Sequence, residues 1–324
     1  MQFDIQVWLK ISAYTGSGLA IGLGAIGAAI GEGYTAAQAN AAISRNPELS
    51  GDIFKSMLVG QAIAESASIF ALVVALMLLF TTFPGHSFIT VLALFSSGAC
   101  IGLGAIGSGI GAGFPAASAC IGMARQPAMG KRLTTNMLIG SAVCQTPSIF
   151  ALVISFILLY SDVSTKPISP TWAAVLGAGL STGLSAIGAG LGSGLVAQSS
   201  CEGIARQPSS STIVTNSMLL GQAITQTTAI YGLLIGFILL FKSYPASDAI
   251  APAMALLSAG ICMGIGGIGP GIGEGFTAQS AVKWIARNSE GVGEITRNML
   301  VGMAVAESTG IYSMVIALIL IFVI

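Results

Sequence analysis

Two apolar spans joined by a short polar link, repeated four times in one chain, leave few folds to choose from. Each unit opens with a Gly-rich apolar stretch: GLGAIGAAIGEG from Gly22, GLGAIGSGIGAG from Gly102, GLSAIGAGLGSG from Gly183 and GIGGIGPGIGEG from Gly264. An Arg-bearing link follows: Arg45-Asn46-Pro47, Arg125-Gln126-Pro127, Arg206-Gln207-Pro208 and Arg287-Asn288-Ser289. Each unit closes with an apolar run: Ser66–Phe80, Thr146–Tyr160, Thr227–Phe241 and Ser308–Ile324. Self-similarity at a fixed period outranks other signals in assigning architecture. Every stretch is long enough to cross a bilayer as a helix, which takes about 20 residues. Eight spans are expected, roughly at 12–43, 53–81, 88–122, 132–160, 171–204, 213–241, 250–286 and 295–323. Two spans return the chain to its starting side, so the four repeats run parallel. Inverted-repeat transporters need an odd number of spans per repeat and are excluded. The expected fold is an all-α membrane protein of four tandem hairpins: hairpin 1 at 1–82, hairpin 2 at 83–163, hairpin 3 at 164–244 and hairpin 4 at 245–324.

Composition agrees. Charged residues make up 7% of the chain, against about 25% in a soluble domain. So few charges could not hydrate a surface on all sides, and the solvent for most of the chain is lipid. The formal net charge is zero, which leaves no basic stripe for nucleic acid. Met1–Tyr14 carries Asp4 and Lys10 and lacks a basic start before a short apolar core, so no cleaved signal peptide is expected. Cys100, Cys120, Cys144, Cys201 and Cys262 lie scattered in apolar segments without metal-ligand spacing and read as reduced thiols packed as small hydrophobes. Gly22–Gly27 and Gly102–Gly107 satisfy GxGxxG, but neither follows a strand, so a dinucleotide site is not expected. No GxxxxGK[ST] occurs, and nucleotide chemistry must belong to partners.

The two helices of a hairpin differ in kind. The first is built on small residues such as Gly22, Gly24, Gly27, Gly31 and Gly33, which let helix backbones approach closely in lipid. The second is bulky, with Leu72, Leu76, Met77, Leu78 and Phe80. A ring of hairpins suits this difference, Gly-rich helices inside and large side chains toward lipid. Nine of the twelve Lys and Arg lie in or beside the links within hairpins: Arg45, Lys55, Arg125, Lys131, Arg132, Arg206, Lys283, Arg287 and Arg297. Only Lys10, Lys166 and Lys242 lie elsewhere. The positive-inside rule then puts the Arg links in the cytoplasm and both termini outside.

One position of the second helix carries the chemistry. It reads Glu65, Gln145, Gln226 and Glu307, separated by 80, 81 and 81 residues. Thirty-three residues before each stands Glu32, Ala112, Ser193 or Glu274, with the link halfway between. Sixteen residues of helix rise about 24 Å, so both members of a pair sit at matching depth inside the hydrocarbon. Hairpins 1 and 4 place two carboxyl groups there and hairpins 2 and 3 none. An acidic group at the bilayer centre costs roughly 2.5–3.5 kcal/mol, and two facing each other cannot both stay charged without a proton or a metal ion between them. An ion-exchange site is expected in hairpins 1 and 4. A carboxamide cannot trade a cation for its charge, so hairpins 2 and 3 carry no ion.

The Gly-rich inner helix, the Arg-Gln-Pro link and the outer carboxylate together resemble the c-type proteolipid of rotary ATP synthases, which forms the membrane rotor ring (the c-ring). The resemblance covers nearly the whole chain, as four fused copies. Ala306-Glu307-Ser308-Thr309-Gly310-Ile311-Tyr312 is similar to the segment of sodium-translocating members. The resemblance implies that the outer Glu binds the ion with an inner-helix Gln or Glu, the hydroxyl of the following Ser or Thr, and the carbonyl two residues before the Glu, across a hairpin boundary, while a Tyr holds the Glu in place. Carried over, hairpin 4 offers Glu274, Val305, Glu307, Ser308 and Tyr312. Hairpin 1 offers Glu32, Ile63, Glu65 and Ser66, with Phe70 where the Tyr belongs, a departure expected to remove one hydrogen bond to Glu65. Val143, Thr146 and Thr227 are candidates to complete neighbouring sites.

Several oxygen ligands suit a hard cation, so Na+ is the expected ion, with H+ competing at low pH. The implied partners are further copies or other c-type hairpins in a ring, the stator with an essential Arg (the a subunit), the central-stalk subunits of the ATPase head, and the lipid bilayer. The implied location is the bacterial plasma membrane, and the chain itself is not an enzyme. A lowered ion-to-ATP ratio follows if the Gln hairpins are silent, favouring ATP-driven pumping. Gln145 and Gln226 fit decay after duplication equally well, and Pro147 fits relaxed constraint or a local kink. A passive ion channel and a structural proteolipid without ATPase coupling are the alternatives.

Overall fold

In lipid every backbone N–H and C=O has to find its partner within the chain, and a long apolar run meets that demand only as a helix. The computed structural model describes residues 4–83, 87–163 and 165–322. Among these, eight helices are long and apolar enough to cross a membrane: α1 Ile5–Arg45, α2 Pro47–Phe80, α3 Phe88–Arg125, α4 Pro127–Tyr160, α5 Ile168–Arg206, α6 Pro208–Phe241, α7 Ile250–Arg287 and α8 Ser289–Phe322. They pair into four hairpins, α1–α2 through α7–α8. The expected first residue of hairpin 3, Ser164, and the expected end of the last apolar run at Val323 and Ile324 lie outside the described residues, as do Met1–Phe3.

The links are built alike. Arg45, Arg125, Arg206 and Arg287 each occupy the last turn of an inner helix, where a cation offsets the exposed carbonyl end. The next residue caps that helix, as where the Asn46 N–H donates to the Ala42 carbonyl at 3.1 Å. Pro47, Pro127 and Pro208 then open a single 3-10 turn leading into the outer helix. Proline at such a start loses no hydrogen bond, because its missing N–H would be unpaired anyway.

The helices are longer than the sequence suggests at the N-terminal end. α1 begins at Ile5 rather than near residue 12, because the polar Gln6 and Lys10 do not interrupt it. Three helices also carry a local break in mid-span. α4 is interrupted at Gln145, where Pro147 has no N–H to offer the carbonyl of Val143. α6 has the same break at Gln226. No proline stands nearby there, so Pro147 is not the sole cause of this shape. The Thr225 hydroxyl competes for the Gln222 carbonyl at 2.8 Å, and the Gln226 N–H reaches that carbonyl only at 3.3 Å. The break in α7 falls at Gly267, where Pro270 withdraws the donor for Gly266. α2 and α8 run unbroken through Glu65 and Glu307.

The inner helices α1, α3, α5 and α7 form a row in chain order. Glycines hold that row at backbone contact. Gly113 abuts Gly31, Gly194 abuts Gly111 and Gly275 abuts Gly192, so closely that a Cβ on Gly113, Gly194 or Gly275 would overlap the backbone of its partner. Thr35 spans the first of these contacts, its hydroxyl 2.9 Å from the Gly31 carbonyl and 3.1 Å from that of Gly113. Each outer helix lies in the groove between its own inner helix and the next one. Thus α2 sits on α1 and α3, α4 on α3 and α5, and α6 on α5 and α7, whereas α8 rests on α7 with no following inner helix among the described residues. Large side chains such as Leu72, Leu76, Val153 and Leu234 point outward, as a lipid-facing layer requires. Leu78 instead turns into the core. The free thiols of Cys100, Cys120, Cys144 and Cys201 are buried, and that of Cys262 is half-buried.

Candidate functional site

The four stations at mid-helix can be built up from the two Gln hairpins, whose contacts are fully enclosed. Gln145 and Gln226 are 6% and 7% exposed. The Gln145 side-chain amide donates to the Ile63 carbonyl of hairpin 1 at 2.9 Å. The Gln226 amide donates to the Val143 carbonyl of hairpin 2 at 3.4 Å and to the Ser193 hydroxyl of its own inner helix at 2.6 Å. Each station therefore lies between three helices: its own inner and outer helix and the outer helix of the preceding hairpin. The carbonyl two residues before the outer position serves the station of the following hairpin. Val143 accordingly faces Gln226 and reaches no carboxylate.

Hairpin 4 has the same arrangement with carboxyl groups in it. Glu274 of α7 is fully buried, and neither of its oxygens receives a hydrogen bond from the described residues. Glu307 of α8 lies close enough for the two charges to interact. Tyr231 of α6, in hairpin 3, donates its hydroxyl to Glu307 Oε1 at 2.5 Å. Thr227, one turn away on the same helix, directs its hydroxyl to the Ile224 carbonyl at 2.8 Å.

That geometry corrects the expectation for tyrosine. Tyr312 does not hold Glu307. It lies on the far side of α8, 65% exposed, and Tyr231 takes the role. Val305 is 68% exposed on the same outer edge, and the Ser308 hydroxyl turns to the Val305 carbonyl at 2.7 Å. These three residues are therefore set apart from the Glu274–Glu307 pair. Phe70 likewise belongs to the boundary between hairpins 1 and 2, so its lack of a hydroxyl deprives Glu65 of nothing.

In hairpin 1, Glu32 is half-buried and Glu65 exposed, again near enough for their charges to interact. Among the described residues no hairpin precedes this one, and the groove that closes the other three stations is open here. Ile63 serves Gln145, and Ser66 bonds the Ala62 carbonyl at 3.2 Å. Thr146, half-buried on α4, stands toward hairpin 3 by the same repeat.

Two contributors escape a reading of the sequence. Tyr231 sits at the same spacing within its hairpin as Tyr312, so spacing does not say which carboxyl group either serves. Gln222 is buried and bridges the carbonyls of Gly140 and Ser193 at 2.9 and 3.1 Å, tying hairpin 2 to hairpin 3 one turn from the station. Gln61 makes the equivalent bond inside hairpin 1, to the Glu32 carbonyl at 3.2 Å.

Comparison with known proteins gives the same four units. The family model for the C subunit of ATP synthase matches residues 15–78, 95–158, 176–239 and 257–320, once in each hairpin. The ATP synthase c subunit of Petrotoga mobilis is 57% identical over 68 residues, 21% of this chain and 71% of the relative. The ATP synthase c subunit of Alkaliphilus oremlandii is 53% identical over 70 residues, 22% of this chain and 78% of the relative. The K subunit of the A-type ATP synthase of Methanocaldococcus jannaschii is 30% identical over 235 residues, 71% of this chain and 96% of the relative.

Proposed function

The chain belongs to the ATP synthase C-subunit family, in four tandem copies, and from that premise we propose that it carries Na+, with H+ as competitor, on the carboxyl pairs of hairpins 1 and 4 alone. Members of this family are non-catalytic, ion-carrying rotor components of rotary ATP synthases. The chain is accordingly an integral membrane protein that sits in a ring with other c-type hairpins. Its bacterial relatives point to the plasma membrane, and the arginines clustered at the link end point to a cytoplasmic position for the links.

The observation that carries the proposal is the buried Glu274 of hairpin 4, with Glu307 half-buried beside it. A carboxyl group with 0% exposure and no donor to either oxygen among the described residues is stable in lipid only when neutralised. Glu307 beside it supplies a second carboxyl group, and the Ile224 carbonyl and Thr227 hydroxyl on hairpin 3 supply neutral oxygens nearby. Oxygen donors of that kind suit a hard monovalent cation, with one proton retained so that the loaded site is neutral. A neutral site crosses lipid. A stator arginine facing the ring would displace the ion, bind the bared carboxylate and release it to the second half-channel. Gln145 and Gln226 are neutral from the start, and their amides already bond the Ile63 and Val143 carbonyls. Those hairpins turn through lipid without cargo, so one chain moves two ions per four hairpins. Fewer ions per ATP let hydrolysis build a steeper gradient, which suits a pump.

Carbodiimide modification of the carboxyl groups tests the ion. At alkaline pH, Na+ is expected to slow labelling of Glu65 and Glu307. Labelling indifferent to Na+, but slowed as pH rises, leaves protons as the cargo. Counting Na+ moved per ATP in reconstituted vesicles tests the silent hairpins, because one ion per hairpin contradicts them.

A further inference from the structure

One turn before each station the outer helices carry a second repeating position, which reads Gln61, Ser141, Gln222 and Met303. In three hairpins its side chain donates to a backbone carbonyl 29 residues earlier, that of the inner station residue. The Gln61 amide reaches the Glu32 carbonyl at 3.2 Å, the Ser141 hydroxyl the Ala112 carbonyl at 3.0 Å, and the Gln222 amide the Ser193 carbonyl at 3.1 Å. Two kinds of side chain thus make one and the same bond. The glycine before each of them, Gly60, Gly140 or Gly221, packs on Ala116, Ala197 or Ala278 of the next inner helix. The turn before the station is therefore held to its own inner helix by a hydrogen bond and to the next by close packing.

Hairpin 4 breaks the pattern. Met303 follows Glu274 at the same interval, but it is fully buried in the apolar cluster that also holds Met299 and Ala278. A thioether has no hydrogen to donate. The Glu274 carbonyl is not orphaned by this, because a carbonyl inside a helix already accepts the N–H four residues on and has a second lone pair to spare. Methionine here removes one bond between α7 and α8 and strands no polar group. The two acidic hairpins are therefore unlike. Beside the Glu32–Glu65 pair the two helices are bonded, and beside Glu274–Glu307 the same turn meets its inner helix through a thioether.

We propose that Gln61 is a positioning residue, a clamp that sets how readily α2 yields to let Glu65 leave Glu32, and that Met303 leaves the hairpin 4 station without this restraint. The purpose of the clamp rests on the ion-carrying reading above. Gln61 and Glu65 stand at i and i+4, on one face of α2, so the bond fixes the turn from which the carboxyl group projects. An outer carboxyl group that hands its ion to the stator has to swing away from its inner partner, and in hairpin 1 that motion strains the bond from Gln61. The amide finds no water in lipid to replace the carbonyl it loses. In hairpin 4 the restraint is the Tyr231 hydroxyl, which acts on the Glu307 carboxyl group itself and not on its helix. Ser141 and Gln222 make the bond where the station is an amide, so the bond belongs to hairpin packing in general. Its presence at one acidic station and its absence from the other make the two exchange at different rates.

Exchanging the two residues tests the clamp. Gln61→Met and Met303→Gln are made separately in the full chain, and carbodiimide labelling of the assembled ring in its membrane is followed peptide by peptide in Na+-free buffer. Gln61→Met should speed labelling of Glu65 by about threefold or more, the size of one interhelical bond in lipid, and leave Glu307 unchanged. Met303→Gln should slow labelling of Glu307 by a similar factor and leave Glu65 unchanged. Gln61→Ser is the rescue, because serine makes this bond in hairpin 2, and it should label at the rate of the unmodified chain. A Glu65 rate unmoved by Gln61→Met, or raised as much by Gln61→Ser, overturns the proposal. So does a rise at both carboxyl groups together, which marks a ring loosened throughout. The rates are read without Na+, so a failure of the Na+ assignment leaves the result intact.

Discussion

Tyr231 of hairpin 3 donates its phenolic hydrogen to Glu307 of hairpin 4 across 2.5 Å, so the acidic station of one hairpin is held by the hairpin before it. Replacing Tyr231 by Phe keeps the ring packing and removes only this bond. A hydrogen bond to a charged group is worth about 1.5–3 kcal/mol, and about 1.4 kcal/mol is a tenfold change in affinity. The Na+ concentration that half-protects Glu307 from carbodiimide should therefore rise by about tenfold or more, with Glu65 unaffected. Peptide-resolved labelling over a Na+ titration reads both residues in one sample.

The same logic says what hairpin 3 lacks. Gln226 already lies against the Ser193 hydroxyl and the Val143 carbonyl, with Thr146 on the adjacent helix. Gln226→Glu alone should react with carbodiimide but gain little protection from Na+, because Phe150 offers no hydroxyl. Adding Phe150→Tyr should bring Na+ protection to the new carboxyl group and raise the Na+ moved per ATP by about half. A double variant whose introduced carboxyl group labels without Na+ protection would show that the hairpin boundary supplies less of the site than the geometry implies.

Much of this was open to reading from residues alone, and the remainder was not, for identifiable reasons. Eight spans and parallel hairpins follow from apolar length and the regular period, because lipid leaves the backbone no alternative to the helix. The glutamate pairs follow from the link lying midway between Glu32 and Glu65 and between Glu274 and Glu307. Which hairpin a tyrosine serves does not follow, because Tyr231 and Tyr312 stand at identical offsets within their own units. Only the seating of each outer helix in the groove before the next inner helix decides it. The break at Gln226 is equally invisible, since Thr225 and Thr227 are ordinary helix residues until one hydroxyl competes for the Gln222 carbonyl.

Two glycines on the inner helices should respond differently to one added methyl. A Cβ on Gly113 overlaps the backbone of Gly31 within the chain. Overpacking of this kind costs about 1–3 kcal/mol, so Gly113→Ala should lower the thermal stability of the detergent-solubilised single chain. Gly33 has open space on the free edge. Gly33→Ala should leave the single chain unchanged and lower the temperature at which the ring separates into chains. Equal effects of both variants on the single chain would place Gly33 inside the chain's own packing.

In a ring built of copies of this chain alone, joined head to tail, the order of stations is fixed. Glu307 of one copy stands next to Glu65 of the following copy, and Gln145 and Gln226 then intervene before the next Glu307. Acidic stations therefore come in adjacent pairs, separated alternately by one hairpin and by three. If the Gln hairpins cannot meet the stator arginine as carboxylates do, the rotor advances by a short step and then a long one. Single-molecule rotation of the intact enzyme at limiting Na+, where each dwell waits for an ion, should show two angular increments in a ratio of about one to three. Evenly spaced dwells at every hairpin pitch would mean that the amide stations engage the stator too. A run of successive single-hairpin increments, or a short increment longer than one hairpin, would mean that another proteolipid lies between copies.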